Sequence, residues 1–137
     1  MELIQEAIFS LQQETLSYTA GVQLWMKTMA LSFVASVLFV YWRVGARWIL
    51  AGFLVNVIGL IVIRVMWPEF SRTSVGTVIH LLFWPWVLYG VWLSVKTDLL
   101  SQQRFRALDW IYYIWLGWAS VLMGISLVFD ARNLLLM

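Results

Sequence analysis

The sequence has no cysteine, one histidine and only two prolines. Without cysteine, it can form no disulfide, no catalytic thiolate and no cysteine-ligated metal site. A single histidine cannot provide both axial ligands of a bis-histidine haem within one chain. The zinc-protease motif HExxH, the phosphate-loop motif GxxxxGK[ST] and the serine-hydrolase motif GxSxG are also absent. We therefore expect a protein that is not an enzyme.

Charged residues are scarce as well, at 12% of the 137 residues, whereas hydrophobic residues make up 63% and the mean hydropathy is +0.85. A soluble domain of this composition would expose broad apolar patches, which soluble monomers avoid. The nine basic residues, which give a net charge of +2, are scattered and form no basic groove. The composition predicts an integral membrane protein in contact with the lipid bilayer and without affinity for nucleic acid.

Four apolar runs, at residues 22–42, 48–67, 75–95 and 107–129, are long enough to cross the hydrocarbon, which takes about 20 helical residues. Tryptophans near most of their ends are typical of the membrane interface. Short connections at residues 43–47, 68–74 and 96–106 favour antiparallel neighbours. The predicted fold class is an all-α membrane protein, in which residues 22–137 form a four-transmembrane-helix antiparallel bundle.

Residues 1–20 are predicted to form an amphipathic helix that lies in the membrane interface. Its apolar face carries Leu3, Ile4, Ala7, Ile8 and Leu11, and its polar face carries Glu2, Gln5, Glu6, Gln12 and Gln13. Glu14 interrupts the apolar face. The same pattern is also compatible with a helix that binds a partner protein.

The distribution of lysine and arginine predicts the orientation in the membrane. The connections 43–47 and 96–106 together hold five basic residues and are therefore expected on the cytoplasmic side. Both termini then face outward, and the bacterial inner (cytoplasmic) membrane is the expected location.

Small residues recur in every span at a spacing close to 3.5 residues, a pattern that favours close left-handed helix packing. The candidate packing residues are Ser32, Gly52, Gly59, Gly76, Gly90, Gly117, Ser120 and Gly124. The alternative is that glycine and serine are simply common in membrane helices. Aromatic residues crowd one side of the third span and recur in the fourth. They face lipid or, alternatively, form a surface for a ring-shaped ligand such as a quinone, carotenoid, chlorophyll or sterol.

Polar residues inside the membrane are the remaining candidates for function. Asn56 lies in the middle of the second span, where it bonds a neighbouring helix or lines a permeation path. Antiparallel threading places a second group in one outer layer: Lys27, Arg64, His80, Glu69 and Asp130. That layer suits an anionic headgroup, a quinone carbonyl or a partner carboxylate. The alternative is a set of snorkelling charges with a hydrogen-bonded histidine.

Three functions are compatible with these observations. The first is a non-enzymatic accessory or assembly subunit of a membrane complex, packed against itself or against other membrane subunits. The second is a small homo-oligomeric channel or transporter. The third is a subunit that holds a haem, quinone or pigment through His80, which is a weak candidate as an axial metal ligand. No motif requires a cofactor, and none is predicted.

Overall fold

The computed structural model describes residues 1–101 and 106–136, which contain helices and no strand. The helices are α1 (Glu2–Leu16), α2 (Ala20–Val34, continued by a 3₁₀ turn at Ala35–Leu38), α3 (Val44–Met66), α4 (Arg72–Ser101) and α5 (Ala107–Leu135). Four segments, Ala20–Leu38 and the helices α3, α4 and α5, are long and apolar enough to cross a membrane. The prediction of an all-helical protein with four such helices is confirmed, and their apolar surfaces indicate contact with a lipid bilayer.

The helix ends differ from the ends of the apolar runs. α3 begins at Val44, so most of the predicted turn at residues 43–47 is helical and the chain reverses direction at residues 39–43. α4 continues to Ser101 and α5 to Leu135, past the predicted spans. Hydropathy follows the hydrocarbon, whereas a helix continues through polar residues until its hydrogen bonding stops. The remainder of the 96–106 connection, residues 102–105, lies outside the described residues.

The closest helix pair is α3 with α4, and glycines on α3 make this approach possible. A Cβ atom on Gly52 would lie 3.0 Å from Cγ2 of Val87, and one on Gly59 would lie 2.8 Å from Cδ1 of Ile79. The later glycine of α3 meets the earlier residue of α4, so the two helices run in opposite directions. The antiparallel arrangement of the whole bundle in a membrane remains a prediction.

Arg43 joins three helices at the end of the bundle that is predicted to be cytoplasmic. Its guanidinium contacts the carboxylates of Asp98, at 3.4 Å, and of Asp109. The Tyr113 hydroxyl also donates to Asp98, at 3.2 Å. The start of α3, the last turns of α4 and the start of α5 therefore share one ion-pair network. Such a network tolerates burial because each charge has an opposite charge beside it.

Glu14 attaches α1 to the opposite end of the bundle. Its carboxylate pairs with Arg64, accepts the Arg72 backbone N–H at 2.7 Å and accepts the Tyr18 hydroxyl at 3.0 Å. The Arg72 guanidinium donates in turn to the carbonyl of Leu11 at 3.1 Å. The one acidic residue that interrupts the apolar face of α1 is thus its anchor to α3 and α4. The location of α1 in the membrane interface stays a prediction.

We expect α1 to detach from the bundle at low pH. Burial alone would raise the pKa of Glu14, but hydrogen bonds from the Arg72 backbone, Arg64 and Tyr18 outweigh it and lower the pKa below its ordinary value of 4.5. A lowered pKa means that the stabilisation is complete above about pH 4.5 and is lost as the pH falls through the lowered value. A spin label on a cysteine introduced at Gln13, which is exposed, would report the release as increased mobility.

Glu14→Gln supplies the control for this prediction, because it removes the carboxylate and keeps the length of the side chain. The label on α1 should then be mobile at neutral pH and should change little on acidification. Equal mobility of the label in wild-type protein at pH 7 and at pH 3 would contradict the role of Glu14.

Candidate functional site

A cavity of about 720 Å³ lies among the four long helices. All four contribute to its wall, together with Tyr18 from the junction between α1 and α2. The lining comprises Gly21, Val22, Trp25, Met26, Met29, Ala30 and Phe33 of α2, Phe53, Asn56, Val57 and Leu60 of α3, Arg72, Thr73, Gly76, Thr77, His80 and Trp84 of α4, and Ser126, Phe129, Asp130 and Asn133 of α5. Apolar atoms form most of the cavity surface, and the polar side chains are those of Tyr18, Asn56, Arg72, Thr73, Thr77, His80, Ser126, Asp130 and Asn133.

The cavity runs from one end of the bundle toward its middle. Gly21, Thr73 and Asn133 are exposed and lie at the end that holds the α1–α2 junction, so we place the mouth there. At the other end, the buried Phe33 and Trp84 meet edge to face with ring centroids 5.6 Å apart and form the floor. From Thr73 to Trp84, α4 rises about 16 Å at 1.5 Å per residue. The cavity thus reaches well into the hydrocarbon.

His80 and Asp130 form an ion-pair or hydrogen-bonded pair in the cavity wall. Nδ1 of His80 lies 2.7 Å from Oδ2 of Asp130, and the Thr77 hydroxyl donates to Oδ1 at 3.0 Å. The side chains of the pair are only 15% and 13% exposed. Thr77 and His80 lie on adjacent turns of one face of α4, so a single carboxylate from α5 reaches both. An ionisable group at this depth is stable only with such partners.

The imidazole of His80 is also fixed by stacking. Its ring lies on the indole of Trp84, one helical turn further along α4, with centroids 3.8 Å apart and planes 27° apart. Carboxylate and indole together define the position of the imidazole. Because Nδ1 faces Asp130, Nε2 is the nitrogen that remains for another partner.

Three buried polar atoms in the lining have no hydrogen-bond partner within the described residues: Oδ1 of Asn56, Nε2 of His80 and Nε1 of Trp84. Contacts of Gly52 with Val87 and of Gly59 with Ile79 bracket Asn56 and place it level with residues 82–83 of α4. The three residues therefore lie at similar depth. Unpaired polar atoms in a buried setting are costly and rare, so three of them in the wall of one cavity indicate a place where a ligand or water completes the bonding.

The structure brings some of the predicted outer-layer residues together and separates the others. His80 and Asp130 are in contact, and Asn56 lines the same cavity. Arg64 instead pairs with Glu14 of α1. Lys27 and Glu69 are exposed and take part in none of the ion pairs of residues 1–101 and 106–136.

The predicted packing residues are likewise divided. Besides Gly52 and Gly59, Gly90 is in close contact, because a Cβ there would overlap the Trp48 indole. Ser32 joins α2 to α5: its carbonyl accepts the Trp115 indole N–H at 2.8 Å and its hydroxyl accepts that of Trp118 at 3.0 Å. Ser120 of α5 is half-buried. A Cβ at Gly76, Gly117 or Gly124 would meet nothing within 4 Å; Gly76 lines the cavity.

Sequence reasoning did not single out Thr77 or Trp84 as partners of His80. Helical spacing offered a signal, because residues three before and four after a helical histidine share its face. The apolar run of the fourth span ends at Phe129, so the sequence predicts only that Asp130 lies in the outer layer. The structure continues α5 to Leu135, six residues beyond Phe129.

The described residues contain no cluster of three or more histidine and acidic side chains that could hold a metal ion. In the cavity, only His80 offers a nitrogen ligand. With His80 and the neighbouring Asp130 carboxylate as the available side chains, a metal there would have to bring most of its ligands with it, as the ring of a porphyrin or chlorin does.

No protein-family model matches the chain, and neither does any curated protein or solved structure.

Proposed function

We propose that this integral membrane protein binds a small lipophilic molecule in the cavity among its four long helices. The observation that carries the proposal is the combination of an apolar cavity of about 720 Å³ with the paired His80 and Asp130 in its wall. Ligand sites commonly have volumes of about 300–1,000 Å³ and combine apolar walls with a few convergent polar groups. This proposal develops the ligand-holding function that the sequence left open for His80.

The lining favours a lipophilic ligand over a polar solute. Phe33 and Trp84 close the floor, and the methionines Met26 and Met29 provide an adaptable wall. Below the floor the packed core begins, with Ile49 and other buried side chains. In this arrangement the cavity ends inside the bundle, so the geometry supports a binding function more than it supports a continuous permeation path.

Gly76→Phe tests the proposal, because a side chain at this position enters the cavity and meets no atom within 4 Å at its Cβ. We expect wild-type protein, purified in mild detergent and extracted with organic solvent, to release a small molecule of defined mass. The variant should retain at least about tenfold less of this molecule, because an aromatic side chain then occupies the mouth of the cavity. Mass spectrometry of the extracts measures the retained amount.

Leu82→Phe is the matched control. It also introduces a phenylalanine into α4, but at a position whose side chain is 59% exposed and lies outside the cavity lining. Its extract should resemble that of the wild type. If all three proteins retained the same compounds in the same amounts, or if none retained any, the proposed function would be wrong.

The outer face of α5 favours a second candidate, association with another copy or another membrane subunit. Gly117 and Gly124, seven residues apart, leave space beside α5, and Val121 between them is 55% exposed. Small residues of this kind let a second helix approach closely. Since the chain has no cysteine, Val121→Cys tests for a homodimer directly. Disulfide cross-linking in native membranes is expected, and a monomer under oxidising conditions would speak against pairing of two copies through this face.

A further inference from the structure

We infer that the ligand carries a hydroxyl group on an aromatic ring, with the ring at the cavity floor and an aliphatic chain toward the mouth. The inference rests on the proposed function and names the class of molecule that the same cavity would take. It is based on the hydrogen-bonding character of Asn56, His80 and Trp84 and on the aromatic residues around them.

The three unpartnered atoms differ in what they require. Nε1 of Trp84 carries a hydrogen and can only donate, whereas Oδ1 of Asn56 can only accept. When the Nδ1–H of a neutral His80 donates to Asp130, Nε2 also becomes an acceptor. With this tautomer, the three residues of the cavity wall carry one unpaired donor and two unpaired acceptors.

A hydroxyl is the smallest group that serves both kinds of atom, because it accepts from Trp84 and donates its one hydrogen to Asn56 or His80. A ketone or quinone carbonyl only accepts, so it would bond Trp84 and leave the acceptors of Asn56 and His80 unpaired. A carboxylate would also lack a hydrogen to donate and would lie close to the carboxylate of Asp130. An ammonium group would leave the N–H of Trp84 without an acceptor.

Aromatic side chains at the same level favour a flat ring next to the hydroxyl. The Phe33 ring meets Trp84 edge to face, and it meets Phe53 with centroids 6.4 Å apart and planes 70° apart. A ligand ring adds to such a cluster with offset or edge-to-face contacts. The part of the cavity between this level and the mouth is then left for an apolar chain.

The three atoms are closed off from water in this structure. A ligand hydroxyl thus reaches them through a change of rotamer, for example of the Asn56 amide. Such a change is small compared with the cost of an unmade hydrogen bond in a buried site. Recognition would therefore include a local rearrangement of the wall.

The test compares two probes that differ in one hydrogen-bond donor, 4-heptylphenol and its methyl ether 4-heptylanisole. Binding to the purified, bead-bound protein is measured with tritiated 4-heptylphenol at fixed detergent concentration, with each unlabelled compound as competitor. We expect the phenol to bind about tenfold or more tightly than the ether, because the ether cannot donate to His80 or Asn56. The protein is unchanged in this comparison, so folding does not affect the result.

Two further measurements complete the design. Gly76→Phe should lose binding of the phenol. In the wild type, 4-heptylcyclohexanol, which keeps the hydroxyl but not the flat ring, should compete more weakly than the phenol.

If the phenol and the ether bound equally in the wild type and both lost binding in Gly76→Phe, the inference about the hydroxyl would be wrong and the cavity would remain a binding site. Equal phenol binding by wild type and Gly76→Phe would overturn both proposals, and a lack of phenol binding would overturn the inference.

Discussion

His80→Leu is expected to destabilise the protein by about 3–5 kcal/mol, the usual cost of leaving a buried charge without its main partner. Among the described residues, the substitution leaves the Asp130 carboxylate with the Thr77 hydroxyl as its remaining partner, inside a largely apolar cavity. It also removes the ring that stacks on Trp84. The free energy of unfolding is measured by titration of the detergent-solubilised protein with sodium dodecyl sulfate.

The double variant His80→Leu/Asp130→Leu is expected to recover most of that loss. Replacing a whole buried pair by apolar side chains is often neutral, because no charge is left without a partner. With Asp130→Leu as the fourth protein, the double-mutant cycle gives the coupling between the two side chains. If the effects of the two single substitutions simply added, His80 and Asp130 would be independent and the paired geometry would have no energetic importance.

The number of helices was predictable because it depends on one local quantity, the length of each apolar run. The ends of the helices were not, since they depend on contacts that are remote in sequence. α3 begins at Val44 directly after Arg43, whose extended backbone and contacts with Asp98 and Asp109 fix the point where the chain turns. Those carboxylates belong to α4 and α5, and the apolar pattern around residue 48 contains no information about them.

The level of a residue along the bundle is easier to predict from sequence than the partner of its side chain. Threading placed His80, Asp130 and Arg64 near one level, and the first two are indeed in contact. The partner of a side chain also depends on how each helix is rotated about its axis, which a single sequence does not determine. Arg64 turns to Glu14 because α1 packs back against α3, an arrangement that the amphipathic pattern of α1 did not predict.

Small residues were informative only about where a close approach is possible. Gly52 and Gly117 belong to similar patterns, but the first is in contact with Val87 and the second has open space beside it. The sequence does not show whether the space beside a glycine is filled by a neighbouring helix, by a ligand or by lipid. For the same reason, the sequence does not reveal the cavity beside Gly76. The volume of this cavity depends on how α2 packs against the other helices.

No side chain fits at Gly45, where all the neighbours are buried, and Gly45→Ala is expected to destabilise the protein by about 1–3 kcal/mol through overpacking. A Cβ there would overlap the Tyr112 hydroxyl and lie 2.9 Å from Oγ of Ser94 and 3.3 Å from Cδ2 of Leu116. All three neighbours are buried, so none can move aside into lipid.

Gly124→Ala, where a Cβ meets nothing within 4 Å, is the control. It should be neutral or stabilising, since alanine favours a helix by up to about 1 kcal/mol over glycine.

A compensating substitution tests whether steric overlap is the cause. The nearest atom to the added methyl group is the hydroxyl oxygen of Tyr112, which makes no hydrogen bond of normal geometry within the described residues. Tyr112→Phe removes that oxygen at little cost, so Gly45→Ala/Tyr112→Phe should regain much of the stability lost in Gly45→Ala, again by titration with sodium dodecyl sulfate. A double variant as unstable as the single one would show that the overlap with Tyr112 does not determine the cost. The required glycine would then have to be explained by Ser94 or Leu116.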